Sequence, residues 1–163
     1  MLNCKKGDIL LVRYHYDPLG MAIRKITNSY WNHATWILDK DNILEVRNKR
    51  VEILSITAYS NKRFYDTKVV RLKNIKTSVL DLALNHAISK IGSLSYIQWV
   101  FSLILVWIQY KGRFTQVTCS GLIAESLDKV GWRFKEWKNP YLISPEDINS
   151  SNNIKEIKIY AKY

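Results

Sequence analysis

The sequence predicts an α+β domain, in which an antiparallel sheet packs against helices. Two observations carry this. Short apolar runs bounded by turn signals fill the first half, and apolar residues at helical spacing fill most of the second. The chain of 163 residues suits one domain, residues 1–163. Its hydrophobic content of 47% is enough for a core without disulfide staples.

Residues 8–14 follow a Gly-Asp turn and form a short apolar run, which predicts a buried strand. Residues 19–27 suit a short helix. Residues 33–38 and 43–47 are apolar segments on either side of Asp39-Lys40-Asp41-Asn42, a polar insert that predicts a hairpin. Residues 68–73 are a further strand. Ser78 is a candidate N-cap for a helix in which Val79, Leu82, Ala83, Ile88 and Ile91 recur at helical spacing, with Gly92 as its stop. A second helix, 96–109, is apolar nearly all round, which requires enclosure by protein or a greasy ligand. A third starts near Cys119, carries Leu122, Ile123, Leu127 and Val130 on its apolar face and ends at Gly131. Residues 154–160 form a final strand.

Composition sets limits on function. The net charge of +11 comes from 25 basic and 14 acidic residues scattered in ones and twos. This pattern reads first as a solvated lysine-rich surface, with an anionic membrane or lipid as a possible partner and nucleic acid as a poor one. The apolar run 97–108 is about 12 residues long, short of the roughly 20 that a membrane-spanning helix needs. The N-terminus lacks the apolar core of a signal peptide. Cys4 and Cys119 make neither a disulfide framework nor a zinc-type pair, so a reducing, cytoplasmic setting is expected, with no metal and no cofactor.

Chemistry centres on Cys119. At a helix N-terminus, partial positive charge and unpaired N–H groups favour thiolate over thiol. The alternative reading is a cysteine buried as a small hydrophobe. A cysteine nucleophile needs a base, and His15, His33 and His86 are the three histidines. His86 lies within a helix with nothing polar nearby to orient it, His15 ends a strand, and His33 begins one. Spacing alone does not choose among them. Glu45, a single carboxylate inside Ile43-Leu44-Glu45-Val46, is the candidate to orient the base. It stands opposite His33 if the hairpin centres on Asp39. The polar insert is centred later, so the triad requires a bulge or a skewed turn, without which Glu45 points to the other face.

Several segments resemble a known group in order and spacing. Gly7-Asp8-Ile9-Leu10 opens a strand, Ile26-Thr27-Asn28-Ser29-Tyr30-Trp31-Asn32-His33 follows, and a strand ends in Leu44-Glu45-Val46. Gly92-Ser93-Leu94-Ser95-Tyr96, Thr118-Cys119-Ser120-Gly121-Leu122-Ile123 and Ser144-Pro145-Glu146-Asp147-Ile148 come next. Together they resemble the circularly permuted branch of the NlpC-type papain-like superfamily, which includes bacterial YiiX-like proteins and poxvirus relatives. The match spans residues 7–148. The resemblance implies a sheet bearing His33 with the cysteine helix packed across it, Cys119 as nucleophile, His33 as base and Glu45 as third member. The chain departs from the family at Gly121, where a carboxylate is frequent.

The expected activity is therefore hydrolysis of an amide or ester through an acyl-thioester, on a small peptide or cell-wall substrate or on an acyl-lipid. Tyr14, at the end of the first strand, and Ser120, beside the nucleophile, are the candidates for substrate contact. The competing expectation is a non-catalytic basic module on the same fold, binding nucleic acid or an anionic membrane surface.

Overall fold

Gly7 turns the chain into the sheet with φ of +83°, a conformation that L side chains avoid. The turn is closed by the Asp8 N–H on the Lys5 carbonyl (3.0 Å) and by the Lys5 N–H on Asp8 Oδ2 (2.8 Å). From it runs β1 (Ile9–Tyr14), whose first four residues are all buried. In this computed structural model the structure describes residues 4–18, 21, 24, 25, 28–47, 50–93 and 118–160, and the side chains of 158–160 are outside that set. The expected helices over 19–27 and 96–109 fall largely or wholly outside the described residues.

β1 is buried because it is central. It pairs with β2 (His33–Ile37) on one side and with β5 (Tyr65–Leu72) on the other. Beyond them lie β3 (Asn42–Arg47), β4 (Arg50–Ser55) and β6 (Ile154–Tyr160). The result is a six-stranded antiparallel sheet in the order β4-β3-β2-β1-β5-β6. The expected hairpin forms around Asp39, whose carboxylate accepts the N–H groups of Asp41 and Asn42 at 2.8 Å each. Strands come mostly first and helices later, as the patterning implies. The sequence pattern passes from residue 47 to residue 68 without a strand and so misses β4, an edge strand in which Val51 is buried and the other residues are half-buried or exposed.

Alternation along the strands divides the core in two. One face presents Ile9, Leu11, Ala34, Trp36, Leu44 and Val70 to two helices, α1 (Thr77–Ile88) and α2 (Cys119–Asp128). The other presents Leu10, Val12, Ile37, Ile43 and Val69 to a short 3-10 turn, Ile56–Tyr59. A short helix, α3 (Pro145–Asn149), carries a capping box between Ser144 and Asp147.

Three expectations about the helices are corrected. Ser78 does not cap α1, because the Leu80 N–H already bonds the Lys76 carbonyl (3.0 Å) and the helix starts earlier, at Thr77, with no side-chain cap. Gly92 lies beyond the helix end, at φ of +79°, and its N–H reaches the Val51 carbonyl of β4 at 2.9 Å. The helix α2 does not have a single apolar face. Residues 120–127 are all buried, because the sheet, α1 and the 140–142 turn surround it. Among the described residues no helix is long and apolar enough to cross a membrane.

A Cβ at Gly7 would press into the Leu80 side chain of α1, in a backbone conformation that already disfavours one. Gly7→Ala should therefore cost about 2–4 kcal/mol, read as a lowered urea midpoint with an unchanged slope. An unchanged midpoint would mean that the turn and α1 are not locked together.

Candidate active site

His33 is the first residue of β2, and the chain arriving there is anchored. The Asn32 N–H bonds the Val12 carbonyl (3.2 Å), and Asn32 Oδ1 accepts the Tyr14 N–H (3.0 Å). Trp31, Asn32 and His33 are all buried. The imidazole thus starts from a fixed backbone rather than a loop.

Glu45 reaches it from β3. The observed pairs, Trp36 with Leu44 and Ile37 with Ile43, centre the hairpin on residue 40 rather than 39. No bulge interrupts that pairing, so the expected bulge or skewed turn is not needed. Moving the centre by one whole residue shifts the register by two and leaves every side chain on its original face. Glu45 lies opposite Thr35 and diagonal to His33, close enough for a long side chain to span. Glu45 Oε1 is 2.5 Å from His33 Nε2.

The carboxylate is completely buried, and its second oxygen has its own donor. Tyr59, from the 3-10 turn, donates its hydroxyl to Glu45 Oε2 at 2.6 Å. With that proton committed, the Tyr59 oxygen accepts from the Tyr14 hydroxyl at 2.9 Å. Burial opposes ionisation of Glu45, but the facing His33 charge and the two hydrogen bonds outweigh it and hold the carboxyl below its ordinary value. Tyr59 is pushed strongly upward by burial beside that carboxylate, so it remains a donor.

Cys119 enters through an opening in the sheet. β2 and β3 pair only at two positions, near the hairpin turn. Ile37 bonds back to Asp8, so the odd-numbered amides of β2 face β1 and the amide of Ala34 faces the β3 side. There the strand partner is missing and the N-terminus of α2 takes its place. The Cys119 sulfur lies close enough to the Ala34 N–H and to His33 for both to favour its thiolate form. Glu45 occupies Nε2, which leaves Nδ1 to face the thiol. Burial opposes ionisation of Cys119, yet the His33 charge and these neighbouring donors bring the thiol below its ordinary value. For His33, burial favours the neutral ring, and Glu45, Cys119 and Tyr14 overcome it to place the imidazole well above its usual range. The arrangement can hold a thiolate beside an imidazolium.

The remaining expected residues divide. Tyr14 is beside the site, with its ring centre 5.7 Å from that of His33. Ser120 is adjacent in the chain, but its buried hydroxyl donates to the Ile143 carbonyl (2.6 Å) and pins α2 to the 140–143 segment. Gly121 has a local cause. The Thr118 hydroxyl caps α2 by accepting the Gly121 N–H (3.0 Å), and a Cβ at 121 would sit 2.5 Å from that oxygen. His15 is held by Asp66 (3.0 Å) and the Arg63 carbonyl (3.0 Å). His86 does have a polar partner, contrary to expectation. Glu125 of α2 lies 3.5 Å away, and Lys90 approaches the same carboxylate oxygen at 3.4 Å. The sequence matches no protein-family model and no curated protein.

Tyr59 was not legible beforehand, since one tyrosine in Thr57-Ala58-Tyr59-Ser60 carries no motif and its partner is 14 residues away. Tyr59→Phe keeps the ring and removes the donor. It should cost about 1–3 kcal/mol in chemical denaturation at neutral pH. The carboxyl is depressed in the folded state, so the loss is full above the ordinary carboxylate range. It fades as pH falls through the depressed value.

Proposed function

We propose that this chain is a cysteine hydrolase of the permuted NlpC-type papain-like kind, cleaving an amide or ester in a small peptide or acyl substrate. The observation that supports this reading is the convergence of Cys119 and the buried Glu45 carboxylate on one imidazole, with His33 bonded to Glu45 at 2.5 Å and its charge acting on the thiol. Histidine strand before cysteine helix is also the order that the resemblance implies. A cysteine serving only as core filler needs no imidazole, and a buried carboxylate is costly unless its charge is used or paired.

In the proposed reaction the Cys119 thiolate attacks the substrate carbonyl and forms a tetrahedral oxyanion. The N–H groups of Gly121 and Leu122 are already taken by Thr118. Those of Cys119 and Ser120 are the first-turn donors available to the oxyanion, each worth perhaps 3 kcal/mol in such a role. Ser120 thus contributes through its backbone, while its hydroxyl stays structural. His33 donates its proton to the leaving amine or alcohol, leaving an acyl-thioester. It then accepts a proton from the water that hydrolyses it. Glu45 holds the ring so that one nitrogen faces sulfur throughout, and Tyr14 lines the space beside it.

The test is alkylation of the native protein with dilute iodoacetamide across pH. His33 is raised and Cys119 lowered, and a thiolate–imidazolium pair forms where the thiol loses its proton before the imidazole does. Cys119 should label at about pH 6, well under the ordinary thiol range near 8.5. His33→Ala should move the inflection back toward that range and slow labelling at pH 6 by tenfold or more, and Cys119→Ser should abolish it. Labelling of Cys119 with an ordinary thiol profile, unchanged by His33→Ala, would sink the proposal.

A further inference from the structure

The sheet face away from α1 and α2 holds a cavity of about 240 Å³. Its floor is Leu10 of β1, its walls are Ile56, Tyr59 and Tyr65, and its rim carries the exposed Ser60 and Lys62. The Tyr59 hydroxyl is engaged by Glu45 and Tyr14, so this residue turns its ring rather than its oxygen to the cavity. Tyr65 meets Tyr59 edge-on at 5.2 Å and Tyr14 at 5.3 Å. A layer of tyrosine rings therefore stands between this space and the His33–Glu45 pair.

The lining chooses its occupant. The volume exceeds that of an apolar cavity of about 150 Å³ that accepts benzene and stays dry. It is below the roughly 300–1,000 Å³ of sites for drug-sized molecules. Beyond the hydroxyls of Thr57 and Thr67, water has few partners against leucine, isoleucine and ring carbons, so a small apolar group gains by filling the space. The charged group of the described lining is the Lys62 ammonium at the rim, with Arg63 next in the chain. We propose that the cavity binds a short aliphatic chain bearing an anionic headgroup, with the chain against Leu10, Ile56 and the tyrosine rings and the anion at Lys62. This site needs neither the Cys119 thiol nor the His33 imidazole, and so goes beyond the hydrolase reading.

Calorimetric titration at neutral pH with octanoate, octanol and octylamine tests it. Octanoate should bind at a single saturable site at least tenfold more tightly than octylamine, with octanol between them. Ser60→Trp, an exposed position at the rim, should weaken octanoate and octanol alike by tenfold or more. Lys62→Glu should weaken octanoate and leave octanol unchanged, and Cys119→Ser should bind as the wild type does. No saturable binding of octanoate, octylamine binding equally well, or binding indifferent to both rim substitutions would each overturn the proposal. The two readings fail separately. An inert Cys119 in a protein that binds octanoate removes only the hydrolase, and an activated Cys119 in one that does not removes only this site.

Discussion

Everything at the centre of this molecule depends on keeping one carboxylate charged where no water reaches it. An isolated buried carboxylate is costly enough that it ordinarily takes up a proton instead. Glu45 avoids this because each oxygen has a partner, His33 on one and Tyr59 on the other. The same charge that Tyr59 satisfies is what raises the His33 imidazole, and the charge of that ring is what lowers the Cys119 thiol. β2, the 3-10 turn and, through His33, α2 are thus tied to one side chain of β3. Removing either partner leaves an uncompensated charge, which is far more damaging than never having had the pair.

The sheet is shaped to allow this. A continuous β2–β3 ladder would cover the Ala34 amide and close the edge against α2. Pairing that stops after two positions leaves that amide without a strand partner, and its N–H acts instead on the Cys119 sulfur to favour the thiolate. The helix terminus is fixed from the other side by its Thr118 cap and by Ser120 on the Ile143 carbonyl. The 143–147 segment is fixed in turn by Asp147, which accepts from Lys135 (2.6 Å), Lys138 (2.5 Å) and the Ser144 N–H (2.8 Å). Those partners outweigh burial and bring its carboxyl to about 2.

Much of this was readable from the residues because it is local. The β1 strand, the Asp39 hairpin, the two long helices and the last strand announce themselves through apolar period and turn chemistry. What escaped depends on distant packing. β4 is an edge strand whose half-exposed residues blur its pattern. The helix α2 looked one-sided because its second buried face is made by a segment twenty residues downstream. Ser78 looked like a cap because propensity alone cannot tell which of several polar residues the chain reaches first. The Glu45 side was readable in parity but not in register, since whole-residue shifts of a hairpin centre conserve faces while exchanging neighbours. Tyr59 escaped entirely, because a hydroxyl meeting a carboxylate across a core leaves no trace in spacing.

The opening beside Ala34 has a consequence for the newly made chain. His33 and Glu45 are 12 positions apart and meet within one hairpin, whereas the sulfur arrives from a helix made much later. Contacts that close long loops form late in folding. Until α2 seats in the gap, Cys119 lacks both its imidazole and its amide donor and behaves as an unremarkable thiol. Whatever the thiol gains from this setting it gains only when β2 and α2 come together, so the lowered thiol is a property of the finished fold and not of the local sequence.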